Sequence, residues 1–169
     1  VLVSACLFGD GAGAAVLSQR AAAHKRSIEC KNIASLLNPV EREALRFEQR
    51  SGMLRNVLTR PVPKLAATHA ERVLDDVLGK AGIDRAEIAA WVWHAGGRDV
   101  LIALRNQLGL TDEQTRYSAG VLREFGNLSS VFVYFVLEAA LADRARGGWW
   151  WMSSFGAGFS CHGALLEVA

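Results

Sequence analysis

Between Lys64 and Lys80, Leu65, Ala66, Val73, Leu74, Val77 and Leu78 recur at helical spacing, which predicts an amphipathic helix. Gly79 and Gly82 are its stop signals, and Asp84 begins the next turn. Ile88-Ala89-Ala90-Trp91-Val92-Trp93 is a continuous apolar run with charge before it and His94-Ala95-Gly96-Gly97 after it, the pattern of a buried parallel strand. Asp99 to Leu108 continues as a helix with Val100, Leu101, Leu104 and Leu108 on one face. Val131 to Arg144 is apolar nearly all round, so it reads as a buried helix, with Asn127 or the following serines available to cap it. Gly147-Gly148 ends that helix. Trp149 to Ser153 and Cys161 to Val168 then predict two last strands, paired as a hairpin through the turn-rich Ser154 to Gly158.

The first third of the chain is patterned less regularly. Gly9-Asp10-Gly11-Ala12-Gly13 signals a turn, after which Ala14 to Ser18 predicts a short core strand. Ser27 to Leu37 is compatible with a second strand antiparallel to that one. Arg42 to Arg60 has no clean period and reads as irregular up to Pro61 and Pro63. Strands interleaved with helices in the order β-β-α-β-α-α-β-β argue for one layered α/β domain over residues 1–169.

Composition narrows the function classes. Of 169 residues, 51% are hydrophobic and 21% charged, enough apolar surface for a real core. A net charge of +2 with Lys and Arg scattered among Asp and Glu argues against a nucleic-acid partner. The densest basic stretch, Glu41 to Arg60, interleaves its arginines with Glu41, Glu43 and Glu48 and reads as a solvated face. No apolar run reaches the roughly 18 residues of a membrane span, because Glu138 interrupts the longest. Cys6, Cys30 and Cys161 are far apart, which argues against a disulfide framework or a metal site and suits a reducing cytoplasm. The opening Val1 to Phe8 is strand-like, lacks Met and has no basic stretch ahead of it, so it reads as a cut end and not as a signal peptide.

Two polar residues stand where chemistry could occur. His94 ends an apolar strand and precedes two glycines, where backbone can approach a ligand; a lone His beside tryptophans is also commonly a packed core residue. Asn127 could cap the helix that follows, or its amide could donate to an oxyanion near a helix amino terminus. Cys6 sits in the opening apolar run and reads as structural. Cys161 and His162 are adjacent in a strand, so their side chains point to opposite faces and cannot form a dyad.

Phe8-Gly9-Asp10-Gly11-Ala12, Trp93-His94-Ala95-Gly96-Gly97, Gly126-Asn127-Leu128-Ser129-Ser130 and Ser154-Phe155-Gly156-Ala157-Gly158 follow one another in the order and rough spacing of the second half of chalcone-synthase-like enzymes. The chain therefore resembles the C-terminal half of a type III polyketide synthase. The resemblance implies a thiolase-like fold in which a cysteine of the first half, missing here, is loaded with an acyl group from coenzyme A. It implies that His94 and Asn127 are catalytic: they hold a malonyl thioester and stabilise the enolate left by decarboxylation, which attacks the acyl-cysteine. Gly96, Gly97, Ser129, Phe155 and Gly156 are the implied substrate-binding positions. The implied partners are acyl-CoA, malonyl-CoA, the N-terminal half and a second subunit, with no metal and no cofactor beyond coenzyme A thioesters as substrates.

There are departures from that pattern. Plant members show Pro at the positions of Ala95 and Ala157, and a gating aromatic expected near Met53 to Val57 is absent there. The tail from Gly147 to Phe155 is more like bacterial alkylresorcinol and alkylpyrone synthases, which accept long fatty acyl starters. Two alternatives are a β-ketoacyl-acyl-carrier-protein synthase III, which shares a similar Gly-Asp-Gly-Ala-Gly segment, His and Asn, and a catalytically incompetent interaction fragment.

Overall fold

The computed structural model describes residues 6–19 and 26–169. Its body is a four-stranded mixed sheet of β1 (Ile28–Leu37), β4 (Ile88–Trp93), β5 (Gly148–Gly156) and β6 (Ser160–Val168), in the spatial order β1-β6-β5-β4. The β1–β6 and β6–β5 pairs are antiparallel, and β5–β4 is parallel. A separate antiparallel hairpin is made by β2 (Leu45–Arg50) and β3 (Met53–Leu58). The helices are α1 (Val62–Ala81), α2 (Arg98–Leu108), α3 (Arg116–Phe125) and α4 (Phe132–Ala142).

Strand alternation assigns the two faces of the sheet. Trp91, Trp93, Trp151, Cys161 and Leu165 point to one side and pack on α1 and α2. Ala90, Val92, Trp150, Leu166 and Val168 point to the other and pack on Tyr117 and Val121 of α3 and on Phe132, Val136 and Ala140 of α4. The result is helices on both sides of a mixed sheet. In α1, Val73, Leu74 and Val77 are essentially inaccessible, each burial contributing about 1.5–3 kcal/mol, and Gly82 ends the helix at φ +68°. The sheet passes very close to this helix at Gly163, where an added Cβ would lie 2.4 Å from the Trp151 ring and 2.8 Å from Val73.

Several expectations need correction. Cys6 and Leu7 are helical, and only Phe8 is bridged, in a parallel contact to Asn127; the expected strand over Val1 to Phe8 otherwise lies outside the described residues. Ala14 to Ser18 is not a strand, and Val16 and Leu17 are 96% and 93% exposed, so this apolar run does not enter the core as expected. The strand expected in Ser27 to Leu37 exists as β1, but its antiparallel partner is β6, with Ile28 opposite Val168. The stretch read as irregular contains the β2–β3 hairpin, turned at Ser51-Gly52, both with positive φ. Helix α3 was not anticipated. Helix α4 is shorter than expected, Phe132–Ala142 and not Val131 to Arg144, and only one side of it is covered: Phe132, Val136 and Ala140 are buried while Tyr134 is exposed.

Candidate active site

β4 delivers His94 to the carboxyl end of the sheet. The His94 N–H donates to Ser153 O at 2.9 Å, so the ladder to β5 continues one residue past Trp93 and fixes the backbone that carries the imidazole. The chain then turns at Gly96 (φ +64°), where a Cβ would lie 2.6 Å from the Phe155 ring; only glycine fits there. Phe155 stacks on the imidazole at 5.1 Å and 24°, and Phe132 of α4 packs against it at 5.5 Å.

Asn127 reaches the same place from the end of α3. The turn at Gly126 (φ +73°) brings a would-be Cβ within 2.6 Å of Leu7 O, so this crossing also requires glycine. The backbone of Asn127 is held by the segment before the Gly-Asp-Gly turn: its N–H donates to Leu7 O at 2.7 Å, and its carbonyl accepts from Gly9 N–H at 3.1 Å. The side-chain amide is then fully oriented. Its Nδ2 donates to Gly96 O at 2.8 Å, and its Oδ1 accepts from Ser129 N–H at 2.9 Å. His94 Nε2 lies 3.1 Å from that same Oδ1. An oxygen so oriented can only accept, so Nε2 carries the hydrogen.

Both side chains are buried, His94 9% and Asn127 5% exposed. Burial lowers the His94 pKa, and the Asn127 side chain and Phe155 backbone only partly offset it, so the ring is neutral near pH 7. The site thus presents neutral N–H donors in a dry environment, where they act strongly on a developing negative oxygen.

A cavity of about 140 Å³ opens onto this pair. His94, Asn127, Gly96, Ser129, Phe155 and Gly156 line it, so six of the seven sequence-derived site residues converge there. Gly97 does not; it lines an adjoining open groove of about 630 Å³ with Leu7, Arg60 and Arg98, and the groove shares Gly96 and Val100 with the cavity wall. The inner face of the hairpin, Leu45, Phe47, Asn56 and Leu58, forms a further wall, and Phe8, Val62, Val100 and Ala157 complete the lining. Sequence reasoning missed these residues. The available signal was Leu45 and Phe47 alternating with polar neighbours ahead of Ser51-Gly52, a short turn between two strand-length runs. The aromatic expected between Met53 and Val57 is absent from that strand, but Phe47 on its partner strand lines the cavity, directly opposite Asn56.

The cysteines stand apart from this geometry. Cys161 faces the core beside Ser153, and burial pushes its thiol up to about 11. His162 points to the opposite face and bonds Ser35 Oγ through Nδ1 at 2.8 Å. Cys6 is exposed and does not line the cavity. Among the described residues no group of three or more His, Cys, Asp or Glu could hold a metal ion, and no helix is long and apolar enough to cross a membrane.

A mixed sheet between helix layers, with His and Asn converging at its carboxyl edge, defines a thiolase-like α/β domain. Residues 37–168 match the chalcone and stilbene synthase C-terminal domain, and the chain belongs to that family, the type III polyketide synthases. It is 32% identical to 3,5-dihydroxyphenylacetyl-CoA synthase of Streptomyces toyocaensis over 95% of this chain and 43% of that protein. The crystal structure of PKS-I from the brown alga Ectocarpus siliculosus superposes with a TM-score of 0.75 at 28% identity, covering 85% of this chain and 40% of the other. The chain therefore spans less than half the length of these relatives.

Proposed function

We propose that this chain supplies the His and Asn part of a decarboxylative Claisen condensation site in a type III polyketide synthase. The observation that carries the reading is the buried His94–Asn127 pair opening onto one cavity. A malonyl thioester placed there loses carbon dioxide as its carboxylate C–C bond breaks, and the electron pair delocalises onto the thioester oxygen. The second Nδ2–H of Asn127, the one not held by Gly96 O, is the free donor for that oxygen, and His94 Nε2–H joins it by turning from Asn127 Oδ1, which keeps its bond from Ser129 N–H. The enolate carbon then forms a bond to the carbonyl of an acyl group held as a cysteine thioester, and the cysteine thiolate leaves.

The acyl-cysteine belongs to an N-terminal half in this reading. Leu37, Val40, Met53 and Leu54 are each more than 60% exposed, apolar surface that suits cover by further polypeptide and by a second subunit. The substrates are an acyl-coenzyme A and malonyl-coenzyme A, with no separate cofactor. Gly97 and Arg98 in the adjoining groove suit the approach of the coenzyme A arm, since backbone near a helix start accommodates anionic groups. The product class is a resorcinol or pyrone. The Streptomyces relative's name contains a 3,5-dihydroxyphenyl ring, which is chemically a resorcinol, and the chain's own tail motif adds a fatty acyl starter to the reading.

The test is malonyl-CoA decarboxylation and extension by this chain together with the N-terminal half that carries the cysteine, since the isolated chain is expected to extend nothing. His94→Ala or Asn127→Ala is expected to lower the rate about 10²–10³-fold, the usual effect of removing one oxyanion donor. Exclusive use of malonyl-carrier protein would instead place the chain with the β-ketoacyl-carrier-protein synthases. A stable acyl adduct on Cys6 or Cys161 by mass spectrometry would overturn the assignment of the nucleophile to another half.

A further inference from the structure

The wall facing His94 contains one group with no structural explanation. Strand alternation turns Leu45 and Phe47 of β2, and Asn56 and Leu58 of β3, toward the cavity, with Asn56 directly opposite Phe47 in register. Three of these four are apolar, as are Val62 and Phe155 beside them. Asn56 Oδ1 is buried and has no hydrogen-bond partner among the described residues. A strand facing a greasy wall favours Val, Ile or Phe, and a buried amide oxygen without a partner is destabilising. Polar groups kept at such a cost inside an apolar pocket characteristically serve a ligand.

We infer that Asn56 is a specificity-determining residue that hydrogen-bonds the oxygens of a β-keto acyl chain, the thioester class generated by the first condensation. This rests on the condensation reading above. A carboxamide offers an acceptor and two donors. An enolised β-keto group offers a hydroxyl donor and a carbonyl acceptor, so the two groups match at two points. A plain alkyl chain of the same length offers neither. Because no protein group anchors the amide oxygen, the amide can rotate about χ2 to meet the chain, this torsion being broad in asparagine. The site would therefore retain extended, oxygenated intermediates in preference to saturated acyl groups, through one residue on the hairpin and not through cavity size alone.

Calorimetric binding of acetoacetyl-CoA and butanoyl-CoA to this chain together with its N-terminal half tests this without requiring turnover. The wild type is expected to prefer the acetoacetyl thioester about tenfold, and Asn56→Leu to bring the two affinities within about twofold. Asn56→Val, a better strand former, is the second non-polar variant should the first fold poorly. Equal affinities in the wild type, no binding of either thioester, or an unchanged preference in both variants overturns the inference. Malonyl-CoA decarboxylation measured on the same samples separates the two readings. A wild type that discriminates but does not decarboxylate sinks the condensation reading alone, and one that decarboxylates but does not discriminate sinks only the role of Asn56.

Discussion

Replacing Asn127 by alanine removes three hydrogen bonds together, at 3.1 Å to His94 Nε2, 2.8 Å to Gly96 O and 2.9 Å to Ser129 N. At about 1 kcal/mol net for each neutral bond, the variant should lose about 2–3 kcal/mol. The upper figure applies if the Gly96 carbonyl and Ser129 N–H are left dry, the lower if water enters from the cavity. For a chain of this size each kcal/mol moves the midpoint by about 2–4 °C, so thermal unfolding followed by circular dichroism should shift down by about 4–12 °C. Asn127→Asp is the sharper comparison. It is isosteric and keeps the oxygen that accepts from Ser129, but it faces a second oxygen toward the Gly96 carbonyl and buries a charge, so it should also lose at least about 1–3 kcal/mol. An alanine variant within 1 °C of wild type, or an aspartate variant as stable as wild type, would refute the assignment of a structured amide network.

Acid should destabilise the fold partly through His94. Burial holds its folded pKa below the ordinary value of 6.5, so the unfolded chain takes up the proton first. The stability this neutral ring contributes is complete above that value and is lost as pH falls below it; His94→Gln should flatten the midpoint-against-pH curve below about pH 6.5, and an unaltered slope would count against a buried neutral ring. Gly163→Ala should be costly although alanine is the smallest change, because its Cβ would stand 2.4 Å from Trp151, packed in the core, and 2.8 Å from Val73. A loss of about 1–3 kcal/mol, read as the denaturation midpoint in urea, is expected, and an unchanged midpoint would show that the sheet and α1 are not packed so tightly.

Much of the architecture was legible one element at a time. Helix α1 and strand β4 were readable because their apolar positions are periodic or nearly continuous, and β5 and β6 were readable as apolar runs, although β5 extends to Gly156 through part of the expected turn. The β2–β3 hairpin was only half legible: Leu45 and Phe47 alternate with Arg46 and Glu48 on the first strand, but Asn56 on the inner face of the second breaks the apolar alternation there. Ala14 to Ser18 failed in the opposite way. Its composition is that of a strand, but a strand also requires pairing, and this segment joins neither sheet.

The sequence by itself determined the class of the chain, since four short motifs in fixed order sufficed to name the family before any contact was known. Local pattern also placed the strand that ends at His94 and the segment around Asn127 ahead of the last helix. Only the tertiary structure decided that β1 pairs with β6, more than a hundred residues away, and that a hairpin closes the cavity. It likewise decided that Gly96 O and Ser129 N–H orient the Asn127 amide so that its oxygen meets the imidazole. The physical reason is that residue patterns encode which groups must leave water, whereas partner, distance and protonation state depend on what else occupies the same buried volume.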